Sequence, residues 1–417
     1  MTATAARTEV ARVARESYGR LVALLAVRTR DIAAAEDALG DALAAALAAW
    51  PHSGMPDRPE AWLLTAARRR LLDAARAAEV RRSAVPTLTL TTRLAEESAE
   101  SGMIPDRRLA LMFACTHPSI AVAIQAPLML QVVLGLDATR IAAAFLTSPA
   151  AIGQALSRAK AKLRDAGIPF SEPEAEERAA RVGAVRDAVY AALALGHDDA
   201  AAGSALAEEA LWLARLTAAL LPEDAESQGL LALALHVEAR RPARRGPDGT
   251  YVPLDAQDAE RWNRAMAVEA EQALFRAAAQ RHPGRYQLEA AIQSAHAGRL
   301  FGHAADAETI ALLYEALVAV SPSIGARVGR VGALLAARGP EVALVALEAI
   351  AGAEAYQPWW AMRAEILSRL GRPEAAGAYA RAIVLTEDPA VRAFLRARQE
   401  GWPQPGGSAP TWSTMRR

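Results

Sequence analysis

Asp137-Ala-Thr-Arg-Ile-Ala-Ala-Ala-Phe-Leu-Thr-Ser-Pro-Ala-Ala-Ile-Gly-Gln-Ala-Leu-Ser-Arg-Ala-Lys-Ala-Lys-Leu-Arg-Asp165 reads as two helices joined by a tight turn. Asp137 stands at an N-cap, and the helix behind it runs to Phe145. Ser148 caps the second helix. Pro149 takes its first position, where a missing N–H costs nothing. Ile152, Leu156, Ala159 and Leu163 recur at helical spacing and define an apolar face. Gln154, Ser157, Arg158 and Lys162 fall away from it. An apolar side for a partner helix and a polar, basic side for a major groove is the layout of a helix-turn-helix reader of duplex DNA. The chain's two lysines, Lys160 and Lys162, both lie here. The same pattern also describes an ordinary helical hairpin with a solvated basic face.

The rest of the composition sets limits. Apolar residues make up 53% of the 417 positions and aromatics 5%, with abundant alanine, which favours closely packed helices in more than one domain. The single cysteine, Cys115, excludes an internal disulfide and a cysteine-rich metal site and fits a reducing cytoplasm. The N-terminus has no apolar signal core. The longest apolar stretch, 121–136, contains Gln125, Pro127 and Gln131 and is too short for a membrane span. The seven histidines show no metal-ligand spacing, and there is no glycine-rich phosphate loop, so neither a cofactor nor catalysis is expected. A net charge of zero conceals a split. Residues 1–170 hold 21 Lys/Arg against 16 Asp/Glu, and the remainder holds 26 against 31. The first part suits a phosphate backbone and the second is repelled by it.

Along the chain, residues 7–82 form a first helical unit, 83–104 a Ser/Thr-rich then acidic linker, 105–170 a second unit ending in the helix-turn-helix, and 171–417 a long series of Ala/Leu helices. In the first unit, helices are expected over 17–27, 31–50 and 60–78, with a proline-rich loop over 51–59. Seven arginines and three acids lie between Arg58 and Arg82, with Trp62 at the head of the same helix. Arginines interleaved with an aromatic suit partly melted nucleic acid; a solvated arginine face is the plainer alternative. In the long extension, Trp359 or Trp360, Leu370-Gly371, Ala375, Tyr379 and Ala382 approximate a tetratricopeptide pattern within an α-solenoid. Its segment 240–262 is dense in charge. There Arg240, Arg241, Arg244 and Arg245 stand opposite Asp248, Asp255, Asp258 and Glu260, followed by Arg261 and Trp262, as a pinned loop or as a binding edge for a peptide or protein.

Several stretches together carry a family resemblance: Ala35-Glu-Asp-Ala38, Pro59-Glu-Ala-Trp-Leu-Leu-Thr-Ala-Ala-Arg68, Asp106-Arg-Arg-Leu-Ala-Leu-Met-Phe-Ala-Cys-Thr-His-Pro118, Leu254-Asp-Ala-Gln-Asp258 and Tyr286-Gln-Leu-Glu-Ala-Ala-Ile-Gln-Ser-Ala-His296. The chain resembles an extracytoplasmic-function sigma factor of the group with a C-terminal tetratricopeptide-like extension. The resemblance implies an all-α fold: a sigma region-two domain, a helix-turn-helix region-four domain and a helical-repeat extension. It implies core RNA polymerase and promoter DNA as partners, no membrane, and no chemistry of its own. By position Trp62, Arg68, Arg69, Arg70 and Arg76 match the segment that captures the melted −10 element, and the loop 51–59 the element that receives a flipped base. Asp37 and Asp41 match the helix that docks on the polymerase β′ clamp helices. Ser148, Gln154, Ser157, Arg158, Lys160 and Lys162 match the −35 reader, whose domain touches the β flap. Arg240, Arg241, Arg244, Asp255, Asp258, Arg261 and Trp262 are the extension's interaction candidates. Departures from the pattern are Gly40, Leu43, Arg69, Arg140 and Ala155, and Pro127, which is expected to delay or kink its helix. They keep open a sigma-fold regulator that binds polymerase without initiating transcription.

Overall fold

A computed structural model describes residues 3–81, 106–145, 147–198 and 203–401. The expected linker 83–104 lies outside these residues, as do Leu146 and the last sixteen positions. The described chain is all-helical apart from one isolated bridge between Arg245 and Tyr251. It divides into two compact units, Met1–Leu213 and Ala214–Arg417.

The first unit contains α1 (Ala3–Thr29), α2 (Ile32–Ser53), α3 (Pro59–Arg81), α4 (Arg108–Cys115), α5 (Val122–Leu134), α6 (Ala138–Ala144), α7 (Pro149–Asp165), α8 (Ala175–Asp198) and most of α9 (Gly203–Leu220). Asp31 caps α2 by accepting from Ala34 N, Asp137 caps α6 through Thr139 N and Arg140 N, and Ser148 caps α7 through Ala151 N. Each cap satisfies donors that a helix start leaves open. Several expectations needed revision, the first being that α1 starts at Ala3, well ahead of the expected 17. Helix α2 runs through Pro51 to Ser53 and stops at Gly54 (φ 81°), so the loop is shorter than 51–59. Pro51 lies in the last turn, so the hydrogen bond it removes is at the end of the helix and does not break it. Helix α5 starts at Val122 and carries Pro127 inside it, because the buried apolar run Ala126–Leu130 holds the helix together across the lost hydrogen bond.

Helices α1 to α3 pack on one another, and α1 also packs on α4 and α5. Close approach of α1 to α5 depends on Gly19, where a Cβ would come 2.1 Å from the Val133 carbonyl oxygen. At the end of α5, Gly135 takes the left-handed conformation (φ 71°) beneath the Tyr18 ring. Helix α8 packs on α4 and α5, so this unit continues past residue 170.

The second unit contains α10 (Ala225–Ala239), α11 (Arg264–Ala279), α12 (Arg285–Ala297), α13 (Ala307–Val320), α14 (Ile324–Arg338), α15 (Pro340–Glu348), α16 (Gln357–Arg369), α17 (Ala375–Leu385) and α18 (Pro389–Glu400). From α12 onward consecutive helices pack as neighbours, and small residues line the contacts: Ala364, Ala375, Ala378 and Ala382 are buried around Tyr379. The turn between α16 and α17 falls at Gly371 (φ 69°). Between α10 and α11 the chain runs through a long loop with three short 3-10 turns, Arg241–Ala243, Leu254–Ala256 and Ala259–Arg261.

Candidate nucleic-acid interface

Helix α3 owes its position to an apolar stripe. Leu63, Leu64, Ala67 and Leu71 are buried, while Thr65, Arg69, Arg70, Asp73 and Arg76 are exposed. Trp62 is half-buried and meets Trp50 edge-on, ring centroids 5.7 Å apart, which fixes its plane. Glu60 ties the start of α3 to α1 through Ser17 and Arg20. Of the arginines matched to −10 capture, Arg69, Arg70 and Arg76 stand on the exposed side and Arg68 is half-buried. Their ion pairs are loose: Arg70 Nε is 3.9 Å from Asp41, and Arg76 3.6 Å from Asp73, with all four side chains more than half exposed. Such pairs contribute little and break readily. Asp37 and Asp41 are exposed on α2.

On α7, Ile152, Leu156, Ala159 and Leu163 are all buried, as their spacing requires. Gln154, Ser157 and Arg158 are exposed, and Ser148 is exposed with its hydroxyl engaged in the cap. The lysines depart from expectation. Lys160 Nζ lies 2.6 Å from Glu36 Oε2 on α2, and both side chains are only 13% exposed. Tyr18 donates to the other oxygen of Glu36 at 3.4 Å. Burial raises the Glu36 carboxyl above its ordinary range, with Lys160 pulling it back only in part. Lys162 donates to the Ser119 carbonyl at 2.6 Å, and Arg164 lies 3.8 Å from Asp31. Lys160 therefore leaves the DNA-facing set, because its charge is matched inside the unit. Lys162 keeps an exposed side chain with its ammonium tethered. Sequence reasoning missed Glu36 and Tyr18. Glu36 and Lys160 lie 124 residues apart and leave no local signal.

The loop after α10 is pinned by different partners from those its sequence suggested. Arg241 pairs with Glu238 at 2.7 Å and Arg245 with Asp388. Arg261 donates to the carbonyls of Arg245 and Pro242. Asp258 caps a 3-10 turn through Glu260 N, and Asp255 is exposed. Arg244 is half-buried. Trp262 is 4% exposed, packed with Ala243 and Ala297, and Arg240 is 9% exposed. These two residues belong to the interior and not to an exposed binding edge, because the loop folds over them.

Among the described residues no group of three or more His, Cys, Asp or Glu could hold a metal ion. No described helix is long and apolar enough to cross a membrane.

Comparison with known proteins bears on this geometry. Residues 13–81, which run from within α1 to the end of α3, match the family model Sigma-70 region 2. Residues 181–278 match a family of unknown function, DUF6596. An uncharacterized protein of Rhizobium meliloti (strain 1021) is 35% identical over 379 residues, covering 88% of this chain and 89% of its own. No solved structure matches the chain.

Proposed function

We propose a role in transcription initiation for this chain, which belongs to the sigma-70 family. In this reading it is a cytoplasmic, non-catalytic factor of the extracytoplasmic-function type that binds core RNA polymerase and directs it to promoters. It needs no cofactor. The observation that carries the reading is the coincidence of the region-2 match with α1–α3, whose last helix presents Arg69, Arg70 and Arg76 beside Trp62.

The mechanism is differential binding. Melted −10 bases would gain stacking on an aromatic edge and phosphate contacts from the α3 arginines, with stacking worth about 1–3 kcal/mol per base. These gains exist only once the duplex opens, so they favour opening. Asp37 and Asp41 would meet the β′ clamp helices. Gln154, Ser157 and Arg158 would read the −35 duplex from α7, and this domain would touch the β flap. The second unit would act as a tetratricopeptide-like extension that supports or modulates initiation through a peptide or protein partner.

A second reading, a sigma-fold regulator that binds polymerase without initiating, is favoured by one observation: Lys160, on the helix expected to read DNA, is committed to Glu36. One experiment separates the two. The full chain is co-purified with core polymerase, and transcription is then measured from an intact and a pre-melted promoter. Initiation from the intact promoter supports the first reading. Stable association without initiation from either template supports the second. Failure to associate refutes both.

A further inference from the structure

The interior of the second unit holds positive charge that its own carboxylates do not neutralise. Arg240 makes one side-chain hydrogen bond, to the neutral amide of Gln293, and its Nε is buried with no acceptor among the described residues. Arg299 donates to two main-chain carbonyls, Leu254 and Gln257, and lies over the Trp262 ring at 5.0 Å. Neither guanidinium has a carboxylate within ion-pair distance among the described residues. Of the acids in and against this loop, Glu238 is committed to Arg241, Asp388 to Arg245, Asp258 to a helix cap and Asp248 to Thr250, while Asp255 and Glu260 are exposed.

The two arginines act on the same surroundings. Burial, Arg244 and Arg299 pull Arg240 down to about 10, so it still carries its charge at neutral pH. Burial together with Arg240 and Arg299 pulls His296 down to about 4 and keeps it neutral. A buried guanidinium with a like charge nearby and no counter-ion is costly to the fold. Its fork of donors matches an oxyanion. The indole Nε1 of Trp262 is a further buried donor without an acceptor. Trp262 and Arg240 are the most deeply placed of the group, whereas Gln293, His296 and Arg299 are half-exposed, which leaves an approach from solvent.

We propose that Arg240 and Arg299, with the Trp262 indole, form a binding site for a dianionic phosphate group. Two unmatched positive charges select a dianion over chloride, and forked donors select an oxyanion. The shared chemistry is the phosphate, borne by a small metabolite or present as the free ion. The inference rests on residues of the second unit and stands independently of the initiation reading.

The test is calorimetric titration of the full chain at constant ionic strength with inorganic phosphate, a phosphate monoester, chloride and a polyglutamate peptide. Wild-type protein is expected to bind phosphate or the monoester saturably and to ignore chloride. The tighter of the two names the source. Arg299→Gln and Arg240→Lys are each expected to weaken binding by about tenfold or more, the second because it keeps the charge and loses the fork. Far-ultraviolet circular dichroism and thermal melting establish that the variants fold. Should Arg240→Lys fail to fold, Arg299→Gln decides, because that side chain is half-exposed. No saturable phosphate binding by wild type would overturn the proposal, as would unchanged affinity in folded Arg299→Gln, or binding of polyglutamate without phosphate.

Discussion

Helices α3 and α7 both carry several basic side chains, yet they use them differently. On α7 one charge turns inward, Lys160 to Glu36, and two others are held at the surface, Lys162 by a carbonyl and Arg164 3.8 Å from Asp31, while Arg158 stays exposed. On α3, Arg69, Arg70 and Arg76 face solvent and, among the described residues, hold nothing closer than 3.6 Å in an ion pair. A basic helix is therefore no single kind of evidence. Charge matched inside a unit stabilises the fold, and charge left at the surface is available to a polyanion. The distinction predicts which substitutions disturb folding and which disturb function.

The largest effect on stability is expected at the Glu36–Lys160 pair. Glu36→Ala leaves an ammonium without its partner in a site 13% exposed, and unfolding free energy should drop by about 3–5 kcal/mol in chemical denaturation. Replacing both members by apolar residues of similar size, Glu36→Leu with Lys160→Met, should recover most of that loss. If the single and double variants are equally unstable, the pair is not what holds α7 to α2. The pair also sets a pH dependence. Burial raises the Glu36 pKa above its unfolded value, so the folded state keeps a proton that the unfolded state has lost. The associated stability is complete below the ordinary carboxylate range and is lost as pH rises through the raised value. Glu36→Gln should flatten that slope.

A smaller effect is expected at the start of α7. Ser148→Ala removes the acceptor for Ala151 N and should cost about 1 kcal/mol, read as a shift in denaturation midpoint at constant slope. A loss comparable with that of Glu36→Ala would mean that the cap anchors more than its own helix.

Local signals made much of this fold legible. Asp31, Asp137 and Ser148 act as the caps their positions announce, and the four apolar positions of α7 are the four that are buried. The exposed members of the candidate surfaces, Asp37, Asp41, Arg69, Arg76, Gln154 and Arg158, also follow from helical periodicity. What periodicity cannot carry is contact across the chain. Lys160 looked like a DNA ligand because its partner lies 124 residues earlier. Arg245 looked bound to its own loop, whereas Asp388 is 143 residues away. Trp262 and Arg240 looked like a surface edge because burial by a loop has no period. Pro127 and Pro51 misled for the opposite reason: their local penalty is real, but both helices continue through them, Pro127 within a buried apolar run and Pro51 in a last turn.

The smallest stability effects, and the sharpest test of the contrast, belong to the exposed arginines. Arg158→Ala on α7 and the double variant Arg69→Ala with Arg76→Ala on α3 should each leave stability within about 0.5 kcal/mol of wild type, because these side chains are exposed. Their functional losses should differ in kind. If Arg158 reads a base, Arg158→Ala costs about 1–3 kcal/mol of −35 duplex binding and relaxes preference at one position; if it contacts phosphate, the loss is uniform across sequences. The α3 pair should instead slow open-complex formation in holoenzyme, and a pre-melted template should restore much of the activity, since the energy of opening no longer has to come from those contacts. Equal loss on melted and intact templates would remove −10 capture from α3. It would make that helix's exposed charge a solvated face, and the difference between the two helices would then be one of folding alone.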